Sequence, residues 1–169
     1  MPATDPSDIH SKLWELIKDI RFGMLTSRGA DGALYAQPLT AQNRDIDEDA
    51  TLYFFISKSG EPYTRLVTDP AVNVSFADPG ADSYVSLAGT ARFVEDNHRK
   101  HELWSPLAKA WFPGGPTDPN LVLLAVQITQ AEYWDVQESK MTQLFKMAKA
   151  AITGERPANL GKHEELRLS

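Results

Sequence analysis

Phe55-Ile56-Ser57-Lys58-Ser59-Gly60-Glu61-Pro62 sets two hydroxyls and an ammonium where an apolar run meets a helix start. Hydroxyls, a cation and free backbone N–H groups at such a junction are what a phosphate monoester requires. Arg65, one helical turn further, would add a second cation. The same residues also read as a helix cap with a surface lysine, since Ser is a favoured cap. A second stretch, Tyr35-Ala36-Gln37-Pro38-Leu39-Thr40-Ala41-Gln42, carries polar Gln37 and Thr40 on a strand that must border the core. Pro38 removes a ladder donor, so this strand is interrupted or lies at a sheet edge. A planar heterocycle with its own donors and acceptors would pair with backbone there; a kinked edge strand is the competing reading. A third stretch, Leu103–Asp135, holds three of the four Trp residues, four Pro and the adjacent Gly114 and Gly115. It suits either a packing corner or the wall of a site for a flat ligand.

Other constellations read as structure. His98-x-x-His101-Glu102 has a spacing that metal sites use, but its flank Glu95-Asp96-Asn97 and Arg99-Lys100 is charged all round, which describes a solvated helix face. His10 and His163 stand alone. Asp45, Asp47, Glu48 and Asp49 share one loop and read as a solvated turn rather than an acid/base pair. No Gly-x-Ser-x-Gly elbow and no Gly-rich phosphate loop after a strand occurs. With no Cys, thiolate metal sites, Cys nucleophiles and disulfides are excluded. No metal site is expected, and no catalytic residue is assigned.

These residues need a scaffold, and 169 residues suit one domain. Apolar and charged contents of 42% and 24% are those of a folded globular chain. A net charge of -6 argues against nonspecific nucleic-acid binding, which needs clustered Lys and Arg. No apolar run approaches the roughly 20 residues that span a bilayer, and Met1–Trp14 lacks a signal core. The expectation is a cytoplasmic protein with no membrane or nucleic-acid partner.

Hydrophobic spacing predicts a first helix through Ile9, Leu13, Leu16, Ile17 and Ile20, capped by Asp5 or Ser7. Phe22–Thr26 and Ala33–Ala41 flank Ser27–Gly32 and predict a hairpin. Thr51–Ser57 is the third strand. A short helix follows, capped by Ser59, with Pro62 in its first turn and Leu66 and Val67 facing inward. Ala71–Asp78 is the fourth strand. Ser83–Asp96 is the fifth, alternating Val85, Leu87, Ala91 and Phe93 against Tyr84, Ser86, Thr90 and Arg92. Gly89 within it predicts a bulge or a close backbone approach. A broken helical excursion runs to Gly115. The last strand starts at Leu121, and Leu121–Val126 is apolar on both faces, so both are expected to be buried, in part by another subunit. A final helix over Lys140–Gly154 and a loose polar tail over 155–169 complete the chain, with 1–154 as a single domain. Six strands with short links predict a mainly β, antiparallel barrel with peripheral helices.

In order along the chain, Leu34–Thr40, Leu52–Gly60, Asp69–Pro79, Tyr84–Asp96, Leu103–Val126 and Ala131–Asp135 resemble the general stress protein branch of the pyridoxamine 5'-phosphate oxidase-like FMN-binding split barrels. The resemblance runs from about Leu13 to Ile152, and Leu103–Asp135 is its most specific part. It implies a six-stranded split barrel and a homodimer with two flavin sites at the subunit interface. It further implies that the strand matching Ala36–Ala41 runs beside the flavin ring and ribityl chain, and that Phe55–Ser57 with the next helix start holds the phosphate. By position the cofactor candidates are Gln37, Leu39, Thr40, Phe55, Ile56, Ser57, Lys58, Ser59 and Trp111, with Trp104 secondary. The implied cofactor is FMN. Relatives often carry Arg or His where Gln37 stands, and Ser-x-Lys where this chain has Gly60-Glu61-Pro62, so FAD and a deazaflavin are the alternatives. The implied activity is flavin-dependent oxidoreduction of unknown substrate, or flavin sensing or storage without catalysis. The tail Gly154–Ser169 does not resemble the ending of a pyridoxamine 5'-phosphate oxidase proper.

Overall fold

Alternation of apolar and polar residues makes strands, and here it makes one continuous antiparallel sheet. The structure, a computed structural model, describes residues 6–46, 49–135, 149, 151, 153–154 and 162–167. Its elements are α1 (Pro6–Ile17), β1 (Gly23–Arg28), β2 (Leu34–Leu39), β3 (Thr51–Ser57), α2 (Glu61–Thr68), β4 (Ala71–Asp78), β5 (Ser83–Val94), α3 (Asn97–Leu103), β6 (Leu121–Asp135) and β7 (Lys162–Arg167). Two short 3₁₀ turns, Pro106–Ala110 and Gly115–Thr117, lie between α3 and β6. The strand order is β2-β1-β4-β5-β6-β3, with β7 added to β6. An Ala41–Phe54 bridge and a bond from Gln42 N to Tyr53 O curl the two ends of the sheet together. The fold is therefore mainly β and antiparallel, a split barrel with peripheral helices.

The barrel interior is filled from alternate strand positions: Leu25, Leu52, Phe54, Ile56, Val74, Phe76, Val85, Leu87, Val126 and Tyr133 are all buried. Leu13 and Ile17 of α1 plug it from one side. A second cluster lies outside the barrel. Tyr53, Phe55, Leu121, Leu123 and Ala125, on the outer face of β3 and β6, are covered by Leu103, Ala108 and Phe112 of the α3 excursion. The two-faced burial of Leu121–Val126 is thus as expected, but its cause is not. Within the described chain the second face is roofed by the same molecule rather than by another subunit.

Gly89 marks a register shift between β5 and β6, where β6 carries Thr129 as an extra residue. A Cβ at Gly89 would lie 2.4 Å from the Gln127 carbonyl oxygen, so the bulge and the close approach coincide. Three local readings change. Helix α1 begins at Pro6, which puts Ser7 inside it, while Asp5 lies outside the described residues. Val67 is 61% exposed, because on α2 it falls one 100° step off the stripe that buries Leu66. The tail is not wholly loose, for β7 pairs with the part of β6 that extends past β3. Lys162–Arg167 is a charged strand, the composition that suits a sheet edge, and Gln130 Nε2 donates to Glu165 Oε1 at 2.8 Å. Most of the predicted last helix lies outside the described residues. Lys149, Ala151 and Thr153 are helical, and Gly154 has a φ of 70°, the left-handed conformation of a C-cap glycine.

Candidate functional site

Among the described residues β2 pairs with β1 alone, which leaves its other backbone edge without a ladder partner, as Pro38 predicts. β3 pairs with β6 on one side, and on the other it meets only the segment just after β2. From the Ala41–Phe54 crossing the two strands part. Among the described residues no ladder bond joins Leu34–Leu39 to Phe55–Ser57, so an open seam runs between two free strand edges. Asn43 anchors the closed end: its side chain accepts from Tyr53 N at 2.7 Å and donates to Thr51 O at 2.8 Å.

Gln37 and Leu39 lie opposite Leu25 and Gly23, on the core-facing side of β2, and are half-buried, as is Thr40. Phe55 and Ile56 flank the seam by backbone only. The Ile56 side chain points into the barrel core, and Phe55 lies outside, 5.9 Å from Trp104 between ring centroids. Trp104 is therefore a packing residue. Trp111 is 82% exposed on the outer surface of the excursion, so within one chain no cover places it over the seam.

At the open end of β3, Ser57, Lys58 and Ser59 form a pinned turn. The Ser57 and Ser59 hydroxyl oxygens are 3.0 Å apart, and Asn120 Nδ2 donates to Ser57 Oγ at 2.7 Å. Ser59 N donates to Asn120 Oδ1, Lys58 N to Asn120 O, and Gly60 N to Ser57 O. The Lys58, Ser59 and Gly60 amides are thus already committed, while the Lys58 and Ser59 side chains are exposed beside the Ser57 hydroxyl. Gly60, not Ser59, caps α2, so the cap has no side chain to offer, and the Ser59 hydroxyl faces Ser57 instead.

Asn120 is the residue that sequence reasoning missed. Ser57 pairs with Leu121, so the residue before β6 necessarily arrives beside the β3–α2 turn. Asp118 holds it there, accepting from Asn120 N at 2.9 Å and from Gly114 N at 3.0 Å. A Cβ on Gly114 would meet the Asp118 side chain at 2.8 Å, and Gly115 has a φ of 76°. The Pro- and Gly-rich loop therefore presents Asn120 to the turn. An Asp-Pro-Asn ahead of a strand that pairs with β3 was the available signal.

On the other lip a chain of polar groups links the β1–β2 hairpin to α2. Tyr35 Oη donates to Asp31 Oδ2 at 2.6 Å, the Arg65 guanidinium lies 4.9 Å from the Tyr35 ring centre, and Arg65 Nη1 donates to Glu61 Oε2 at 3.2 Å. Arg65 Nε also donates to buried Ser27 Oγ at 3.0 Å. The Tyr35 hydrogen bond, then that of Ala33 N, holds the Asp31 carboxyl below its ordinary value, and the Tyr35 phenol is correspondingly raised. Arg65 is thus a brace, and it occupies the Glu61 carboxylate. The His98–Glu102 face is committed too: His101 Nδ1 is 2.6 Å from Asn97 O, and Arg99 donates to Glu102 at 2.8 Å. Among the described residues no group of three metal-ligating side chains forms, and no helix is long and apolar enough to cross a membrane.

Known proteins share this framework. The general stress FMN/FAD binding protein of Xanthomonas citri is 33% identical, over 79% of this chain and 92% of that one, with a TM-score of 0.65. A structure from Jannaschia sp. CCS1 assigned as general stress protein 26 is 27% identical over 96% of this chain and 99% of its own, with a TM-score of 0.71. Protein bli-3 of Neurospora crassa is 26% identical over 86% of this chain and 73% of its own length. A family model described as pyridoxamine 5'-phosphate oxidase like matches residues 8–158. With nearly the whole split barrel inside that match, the chain belongs to the pyridoxamine 5'-phosphate oxidase-like family.

Proposed function

We propose that this chain is a cytoplasmic, homodimeric flavoprotein of general stress type that holds FMN along the β2–β3 seam and serves as a flavin-dependent oxidoreductase. One observation carries the reading: among the described residues two strand edges without a ladder partner diverge from Ala41 and Phe54, and the β3 edge ends at a turn bearing two hydroxyls and a lysine. The relative from X. citri, described as FMN/FAD binding, supports the ligand class.

The residues fit the group. Ser57, Lys58 and Ser59 offer two hydroxyls and an ammonium to a phosphate, and the Glu61 carboxylate that follows them in sequence is engaged by Arg65. That arrangement compensates for the missing Ser-x-Lys at Gly60–Pro62. Gln37, Leu39 and Thr40 border the seam from β2, with the Phe55 and Ile56 backbone opposite. Bound flavin supplies hydride or electron transfer through its N5 and C4a. The chain's part is to orient the ring, bond its edge and exclude water. Trp111, exposed in one chain, serves as a wall across the subunit interface. The dimer covers the outer face of β1, β2, β4 and β5, where Met24, Leu34 and Tyr84 are exposed.

Titration with FMN, followed by flavin fluorescence, is expected to saturate in the micromolar range, and NADH or NADPH to bleach the bound flavin with fast reoxidation by an acceptor. No saturation would sink the reading. A second role is flavin sensing or storage: the Arg65 guanidinium is engaged by Ser27, Glu61 and the Tyr35 ring rather than turned to the seam. Tight binding with sluggish reduction would select that role.

A further inference from the structure

A cleft of about 340 Å³ opens on the far side of the Ser57–Ser59 turn, between α2, α3 and the adjoining ends of β5 and β6. Lys58, which follows Ser57 in the turn, lines it. Its apolar wall is Tyr63 and Phe93, half-buried rings 4.6 Å apart and inclined by 32°. Lys100 lines it as well, and its Nζ donates to Leu121 O at 3.1 Å. Leu121 pairs with Ser57, so the carbonyl that Lys100 bonds and the Ser57–Lys58 backbone stand at the same end of the cleft. An ammonium carries three donors, and that bond uses one of Lys100's. Glu95 and Asn97, both exposed, complete the lining.

This set selects a ligand class. Two lysines lining one cleft ask for a phosphate, and the aromatic rings that line it with them ask for a flat ring. A carboxylate accepts from an exocyclic amine, and an Asn amide matches the amine and ring-nitrogen edge of adenine. The volume lies at the lower end of small-ligand sites, roughly 300–1,000 Å³. We propose that the cleft binds a purine nucleoside monophosphate bearing an exocyclic amine. It is either the adenylate half of FAD, whose other phosphate rests at Ser57–Ser59, or a free nucleotide. The first source rests on the flavin reading above; the second does not.

The test is calorimetric titration of the full chain with FMN, FAD and AMP separately, for wild type, Lys100→Met and Glu95→Ala. Both side chains lie outside the flavin seam, and thermal melting verifies that each variant folds. FAD is expected to bind about tenfold tighter than FMN, the worth of one added charge-assisted contact. Both variants are expected to erase that preference while leaving the FMN constant unchanged. Saturable AMP binding with FAD no tighter than FMN supports the free-nucleotide source. AMP binding without either flavin supports the cleft and removes the flavin reading. FMN binding with no FAD preference and no AMP binding overturns the cleft alone, as does a preference that both variants retain. Silence from all three ligands overturns both.

Discussion

The two outer faces of this barrel are treated differently. Over β3 and the first half of β6 the chain folds back on itself, and Leu103, Ala108 and Phe112 seal Tyr53, Phe55, Leu121, Leu123 and Ala125. Over β1, β2, β4 and the first half of β5 the described outer face is bare, and Met24, Leu34 and Tyr84 remain exposed among Asn73, Ser75 and Ser86. The sealed face is uniformly apolar, as a core is. The bare face mixes Met, aromatic and hydroxyl side chains, the composition of a partner-facing surface rather than of an interior. Apolar density along a strand therefore says that a face is covered, but not by whom. The seam and the Ser57–Ser59 turn lie where the two regimes meet, with one lip on bare β2 and the other on sealed β3.

The contrast can be broken in several places. Phe112→Ala removes the largest roof residue and is expected to cost about 3–5 kcal/mol in denaturant unfolding; a loss below about 1 kcal/mol would mean that the roof is not a second core. Gly89→Ala strikes the bulge where β6 passes from sealed to bare, and its Cβ meets the Gln127 carbonyl. Overpacking of that kind costs about 1–3 kcal/mol, read as a fall in Tm. Met24→Glu and Tyr84→Glu on the bare face should each shift stability at low protein concentration by about 0.5 kcal/mol or less. In sedimentation they should convert a dimer to a monomer, and an unchanged dimer would place the interface elsewhere.

The smallest effect concerns the hairpin lip. The raised Tyr35 phenol stays protonated above its ordinary value, so its bond to Asp31 stabilises below that value and is lost as pH rises through the raised one. Asp31, held low, contributes above its ordinary carboxyl value and loses that contribution as pH falls through the lowered one. Ultraviolet titration should therefore show a late component that Asp31→Asn moves down. A titration curve unchanged by Asp31→Asn would refute the bond.

Strands β3 and β4 were legible to the residue, as Thr51–Ser57 and Ala71–Asp78, because turn residues bound their apolar runs. The β5 alternation and the Gly89 bulge were legible for the same reason: a period of two and a missing Cβ are local facts. What escaped is tertiary. Lys162–Arg167 has no strong strand pattern, and it is a strand because β6 outruns β3 and leaves an edge to fill. Asn120 reads as one more turn residue until β6 pairs with β3 and brings it to Ser57, 63 residues away. The Ser57–Ser59 junction was visible as a place of hydroxyls and charge, but not as a turn whose amides are already spent.

The most direct test of the account is a visible absorption spectrum of the purified protein, followed by FMN titration of wild type, Lys58→Ala and Asn120→Ala. The account predicts flavin bands or saturable micromolar binding, weakened about tenfold without the Lys58 ammonium. Asn120→Ala, which frees the turn without removing a cation, should weaken binding by a similar or smaller factor. Binding that neither substitution changes would contradict a phosphate at Ser57–Ser59, and a colourless protein that ignores FMN would contradict the flavin site itself.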